Sequence, residues 1–127
     1  MEPAKGPHRI LLIEDNGDFV YLFSSLLTHM GHECMPALSG AEGIRKAKEM
    51  KPDIIFCDIG LPDMDGFDVS KKIREEPGLK DVYIAAVTGY SDRGRNRDAD
   101  SAFNAYLIKP VSMSDIKRLL ERIDSSG

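Results

Sequence analysis

Apolar residues in this chain follow two rhythms in alternation. Unbroken runs such as Ile10-Leu11-Leu12-Ile13, Ile54-Ile55-Phe56-Cys57 and Val82-Tyr83-Ile84-Ala85-Ala86-Val87 each stop at a polar residue. Runs without alternating polar positions predict strands covered on both faces, as in a parallel sheet. Between the runs, apolar positions recur at three- and four-residue steps. Phe19, Leu22, Phe23, Leu26, Leu27 and Met30 predict a helix over residues 18–30 with one buried face, ended by Gly31.

The rest of the chain keeps this alternation. Residues 32–37 predict a second strand, less apolar and therefore at a sheet edge, and Ser39-Gly40-Ala41-Glu42 is a capping box opening a helix to Met50. Lys51-Pro52-Asp53 breaks that helix. Residues 66–74 predict a third helix that turns Phe67, Val69 or Ser70, and Ile73 to the core, and Pro77 and Gly78 mark a connection to the fourth strand. Residues 104–108 predict a fifth strand ending at Lys109-Pro110. Ser112-Met113-Ser114-Asp115, with Asp in the acidic place of the box, opens a last helix that buries Ile116, Leu119, Leu120 and Ile123. Residues 91–101 differ from all of these, because Arg93, Arg95 and Arg97 alternate with Gly94, Asn96 and Asp98, and Ala99 alone is apolar. A fourth helix there has no core-facing stripe, and Gly94 costs it about 1 kcal/mol against Ala. The whole pattern predicts an α/β fold, a doubly wound five-stranded parallel sheet with helices on both faces, for which the flavodoxin-like strand order 2-1-3-4-5 is chosen, an order that rests in part on the family resemblance given below.

Composition narrows the class without changing the fold. A chain of 127 residues fits one domain, expected over residues 9–124 between short tails at 1–8 and 125–127, and buries about two-thirds of its unfolded surface. With 17 basic against 21 acidic residues and a net charge of -4, direct nucleic-acid or anionic-membrane binding is not expected, and the three arginines read as a solvated face. No apolar run approaches the ~20 residues that span a bilayer, and the polar first residues lack a signal-peptide core, so a cytoplasmic location is expected. Cys34 and Cys57 fall on strands flanking the first strand, about 9–10 Å apart and beyond disulfide reach. Cys57 reads as core.

Chemistry gathers at the strand ends. Glu14 and Asp15 follow the first strand, Asp58 the third, Thr88 the fourth and Lys109 the fifth, and in a parallel sheet these ends share one edge, where ligands of open α/β sheets bind. An acid completing a buried run, as Asp58 does, is hard to explain as packing. Three carboxylates brought together repel unless a cation sits among them, and Mg²⁺ suits hard oxygen ligands. Lys109 and the Thr88 hydroxyl offer a charge and a donor to an anion's oxygens, and phosphoryl is the anion that pairs with Mg²⁺. A carboxylate beside such a group can be the nucleophile.

The set Glu14-Asp15, Asp58 with Ile59-Gly60-Leu61-Pro62-Asp63-Met64-Asp65-Gly66, Thr88-Gly89 and Lys109-Pro110 resembles the receiver domain of two-component response regulators over nearly the whole chain, roughly residues 9–124. The resemblance implies the strand order given above. It implies that Asp58 accepts a phosphoryl group from a phosphohistidine on a sensor histidine kinase or phosphotransfer protein. Glu14, Asp15, Asp58 and the backbone carbonyl of Gly60 would hold Mg²⁺, and Thr88 and Lys109 would bind the phosphoryl oxygens. Tyr106 takes the place of the aromatic that turns inward when Thr88 moves, and Lys109-Pro110 matches a cis peptide. A downstream protein would then read the face of the fourth helix, fifth strand and last helix, with no output domain expected after residue 124.

Taken singly, several of these residues have plainer readings. Asp15 reads as a cap of the first helix, Asp63 and Asp65 as turn and cap residues, Thr88 as a strand-end hydroxyl and Lys109 as a solvated charge, while Tyr106 fits core or switch equally. Two other functions stand beside the signalling one: an aspartyl-phosphate hydrolase, which wants a second acid where Gly60 stands, and a receiver-like binding module that is never phosphorylated. Ala102 stands where the family usually has Gly, so a mobile or shortened fourth helix is expected. With Gly60 offering no side chain to guide water and Tyr90 placed to shield, a long-lived phosphorylated form is also expected.

Overall fold

The computed structural model describes residues 7–89 and 102–126. The expectations for Tyr90 and for a fourth helix over 91–101 fall outside the described residues. In chain order the elements are β1 (Arg9–Ile13), α1 (Gly17–His29), β2 (Glu33–Ala37), α2 (Gly40–Met50), β3 (Ile54–Asp58), α3 (Gly66–Arg74), β4 (Tyr83–Thr88), β5 (Ala105–Ile108) and α4 (Met113–Ser126). All five strands pair in parallel in the order β2-β1-β3-β4-β5, as the sequence predicts. The less apolar β2 lies at an edge, where Pro36 can sit in a strand without a partner for its missing N–H.

The unbroken apolar runs divide between the two faces. Ile10 and Leu12 of β1, Ile54 and Phe56 of β3, and Ala85 and Val87 of β4 pack with Phe23 and Leu27 of α1 and Ile116, Leu119 and Leu120 of α4. The residues between them, Leu11, Ile13, Ile55, Cys57, Ile84 and Ala86, pack with Ala47 of α2 and Val69 and Ile73 of α3. A strand buried on both faces has no position left for a polar side chain until it ends. Each fully buried Leu or Ile in these layers stabilises the fold by about 1.5–3 kcal/mol before entropy is counted. Cys34 and Cys57 are both free and lie on strands either side of β1. Burial pushes the Cys57 thiol far up, in keeping with a core residue.

Helix starts follow local chemistry, with two departures from the sequence reading. Asn16, not Asp15, caps α1, its side chain accepting from the Phe19 amide at 3.0 Å. The cap stands immediately before the first helical residue, and the helix begins at Gly17. In α2, Ser39 Oγ accepts from the Glu42 amide at 3.1 Å, but Glu42 returns to the amide of Leu38, at 2.7 Å, one residue beyond the usual box. The box at α4 is reciprocal: Asp115 N donates to Ser112 Oγ at 3.1 Å and Ser112 N to Asp115 Oδ2 at 3.0 Å. Asp65 caps α3, and Asp63 reaches across to α2, accepting from the amides of Gly40 and Ala41 at 2.8 and 3.0 Å. Asn104 is not part of β5; its side chain accepts from the Ile84 amide and from Arg74 Nη2.

Candidate functional site

Backbone register carries the strand-end residues to one edge. Ile13 pairs with Cys57, Asp58 with Val87 and Thr88 with Ile108, so Glu14, Asp58, Thr88 and Lys109 lie at or one residue beyond the carboxyl ends of adjacent strands. Hydrogen bonds extend the ladder past the strands: Glu14 N donates to Ala37 O at 2.9 Å, Ile59 N to Val87 O at 3.2 Å and Lys109 N to Thr88 O at 2.9 Å. After β3 the chain folds back on itself. Gly60 and Asp65 form an isolated antiparallel bridge, and Gly66 N donates to Ile59 O at 2.9 Å. A Cβ on Gly66 would stand 2.6 Å from Asp58 O and 2.7 Å from Ile59 Cα, so only glycine permits this close approach behind Asp58.

Glu14, Asp15 and Asp58 each offer a carboxylate oxygen within 4.8 Å of the others. Glu14 is 1% exposed and Asp58 6%, whereas Asp15 faces solvent. With Asn16 as the cap, the Asp15 carboxylate is not committed to α1. Glu14 Oε2 accepts from the Asn16 amide at 3.1 Å. Glu14 Oε1 lies 2.9 Å from Lys109 Nζ, but the two are not aligned as a hydrogen bond, and that oxygen accepts none. A buried carboxylate oxygen with a charge beside it and no directed donor retains its capacity to ligate a cation.

Asp58 is the strained member. Burial above all, then the charge of Glu14, pushes its carboxyl up from the ordinary 3.8 to about 6. Lys109, with Nζ 3.9 Å from Asp58 Oδ1, and the Gly60 amide, which donates to the same oxygen at 3.3 Å, pull it back only partly, and Asp15 adds to the rise. Lys109 is therefore no free surface charge. Its ammonium is held among Glu14, Asp58 and the Phe19 ring, 4.7 Å from the ring centroid. Thr88 is 4% exposed, and its hydroxyl donates to Gly89 O at 3.0 Å. Tyr106 is 41% exposed and meets Phe103 edge to face at 5.5 Å. The Lys109–Pro110 peptide is cis. The structure thus brings together Glu14, Asp15, Asp58, Gly60, Thr88 and Lys109 at one edge, with Tyr106 two residues before the end of β5.

Two residues of this edge escape sequence reading. Phe19 reads as one more apolar position of α1, and Asn16 as a loop residue. The signal for Asn16 is its place one residue before Gly17, where a cap belongs. Phe19 gives none, because its contact with Lys109 is made only by the fold.

A doubly wound parallel sheet with three carboxylates, a lysine and a hydroxyl at its carboxyl edge defines a class of open α/β proteins whose ligand site lies at the strand ends. Within that class the chain belongs to the response regulator receiver domain family, whose model matches residues 10–121. It is 32% identical over 120 residues to the polar-differentiation response regulator DivK of Brucella anthropi, an alignment covering 94% of this chain and 95% of that one. Among solved structures it resembles a CheY-like response regulator receiver domain from Methylobacillus flagellatus, with TM-score 0.85, 26% identity and coverage of 93% and 99%. It also resembles the receiver domain of a sensor histidine kinase from Pseudomonas aeruginosa, with TM-score 0.83, 29% identity and coverage of 92% and 97%. That receiver was crystallised with a magnesium ion coordinated in its active site cleft. The family is one of signalling phosphoacceptors that work with histidine kinases or phosphotransfer proteins. No helix among the described residues is long and apolar enough to cross a membrane.

Proposed function

We propose that Asp58 is the phosphoacceptor of this receiver and that residues 9–124 form the working unit. The observation that carries this reading is the position of Asp58, a buried carboxylate that ends β3 between Glu14 and Lys109. Glu14, Asp15, Asp58 and the Gly60 carbonyl would hold Mg²⁺, which would supply positive charge to offset the acids and the phosphoryl oxygens. An Asp58 carboxylate oxygen attacks the phosphorus of a phosphohistidine on a sensor kinase or phosphotransfer protein. The O–P bond forms as the P–N bond breaks, and the released imidazole takes a proton from water. Lys109 gives its charge to one phosphoryl oxygen, and Thr88 turns its hydroxyl from Gly89 O to another.

The new charge then favours closure of the loops after β4 and β5. Tyr106, 41% exposed on β5, would follow Thr88 inward and alter the face around β5 and α4 that a downstream protein reads. Gly60 supplies no general acid, which sets the chain apart from an aspartyl-phosphate hydrolase with turnover. We place its work in the cytoplasm, without direct nucleic-acid or membrane contact. Incubation with Mg²⁺ and acetyl phosphate, read by intact mass, tests the assignment: the wild type gains one phosphoryl group and Asp58→Asn gains none. A gain that survives Asp58→Asn overturns it.

A further inference from the structure

The Lys109 ammonium stands on an aromatic column that the family motif does not include. The Phe19 ring lies 4.7 Å from Lys109 Nζ, Phe19 stacks on Phe23 at 5.2 Å and 17°, and Phe23 meets Phe56 edge to face at 4.9 Å. Phe56 and Phe23 are buried in the layer beneath α1 and α4. The column thus runs from the middle of β3 to the site. Its upper end is fixed in a second way, since the Phe19 amide donates to the Asn16 cap and the Asn16 amide donates to Glu14 Oε2. One turn of chain therefore sets both the carboxylate and the ring that the ammonium touches.

We propose that Phe19 is a positioning residue for phosphoryl transfer, its ring face holding the Lys109 ammonium between Glu14 and Asp58. A lysine stem has many rotamers, and a reacting group left to sample them is seldom in place. A ring face attracts the charge without offering a lone pair, so it limits where the ammonium goes without adding a fourth carboxylate to outbid the phosphoryl oxygen. Glu14 alone would draw Lys109 to one side. With the ring beneath it, the ammonium stays within 3.9 Å of Asp58 Oδ1 and needs only a short shift to meet the incoming group. This role rests on the phosphoacceptor reading of Asp58.

Two variants separate the ring face from mere packing. Phe19→Leu keeps an apolar side chain and loses the face, and Phe19→Tyr keeps the face. In metal-free protein, NMR of the Lys109 ε-methylene should show an upfield ring-current shift in the wild type and Phe19→Tyr, lost in Phe19→Leu. With Mg²⁺ and acetyl phosphate, labelling should slow about fivefold in Phe19→Leu and stay within about twofold of wild type in Phe19→Tyr. Mg²⁺ affinity, followed separately by chemical-shift titration, should be the same in all three. A Lys109 shift indifferent to Phe19→Leu, or a Phe19→Tyr as slow as Phe19→Leu, overturns the proposal. A wild type that takes no label overturns the phosphoacceptor reading and the positioning role with it, while the metal-free spectrum still reports whether ring and ammonium meet.

Discussion

The two edges of the sheet handle charge in opposite ways. At the amino edge, each carboxylate named has a donor or a charge beside it: His8 Nε2 lies 2.9 Å from Asp124 Oδ1, the Arg9 amide donates to Asp53 Oδ2 at 3.0 Å, and Arg9 Nε lies 3.6 Å from Glu33 Oε1. The His8 amide donates to His32 Nδ1 at 3.0 Å and the two rings stack at 5.3 Å, so this end ties α4 and the start of β1 to the loop before β2. At the carboxyl edge, Glu14, Asp15 and Asp58 crowd within 4.8 Å with Lys109 as the basic group beside them. One end of the sheet spends its polar groups on holding the fold together. The other keeps like charges close, an arrangement that suits the cation and phosphoryl group of the proposed function.

The largest change at the carboxyl edge comes from replacing Gly66. Gly66→Ala places a Cβ against Asp58 O and Ile59 Cα, and both are backbone atoms that cannot rotate away. Urea denaturation should show a loss of about 2–3 kcal/mol, with labelling of Asp58 reduced because the loop behind it has moved.

A smaller effect comes from pH. The folded chain holds the Asp58 proton more tightly than the unfolded chain does, since its carboxyl is raised from 3.8 to about 6. The contribution of Asp58 to stability is therefore full below about pH 4, falls as pH rises, and is lost above about pH 6, at a cost of about 1–2 kcal/mol after solvent screening. His32 runs the other way. Its pKa is lowered from 6.5 by burial first and by His8, so its contribution is present above 6.5 and lost as pH falls. Denaturation curves across this range should show the Asp58 component removed by Asp58→Asn and the His32 component removed by His32→Gln, each leaving the other in place.

The smallest effect is at the amino edge itself. His8→Ala removes a half-buried tie to Asp124 and should cost about 1 kcal/mol while leaving the labelling rate unchanged. A change in that rate would show that the two edges are coupled.

Much of this was legible in the chain. Strands buried on both faces read as unbroken apolar runs, and the polar residue that stops each run marks the carboxyl edge, so Glu14, Asp58, Thr88 and Lys109 were visible as a set. The α3 boundaries and the Ser112–Asp115 box were visible because they are local. What stayed hidden depends on contacts between elements distant in sequence. Asp63 caps α2 from a loop beyond β3, and no spacing rule links it to Gly40. Arg74, at the end of α3, donates to the carbonyls of Val82 and Ala102 and to Asn104 Oδ1, fastening the start of β4 to the approach to β5. The same fold places the buried Ala102 carbonyl to accept from the Ser70 hydroxyl. Phe19 meets Lys109 across ninety residues of chain, and its apolar periodicity in α1 gives no hint of a charge on its far side.

If the proposed site is right, the carboxyl edge is strained by its carboxylates and a cation relieves it. Chemical denaturation of the wild type and Asp58→Asn near neutral pH, with and without Mg²⁺, tests it most directly. Without Mg²⁺, Asp58→Asn should be the more stable of the two by about 1–2 kcal/mol. With Mg²⁺ at a hundredfold excess over its dissociation constant, the wild type should gain about 2.7 kcal/mol and Asp58→Asn much less, so that their order closes or reverses. Equal gains in both proteins, or an Asp58→Asn that is no more stable than wild type without the ion, would contradict the account.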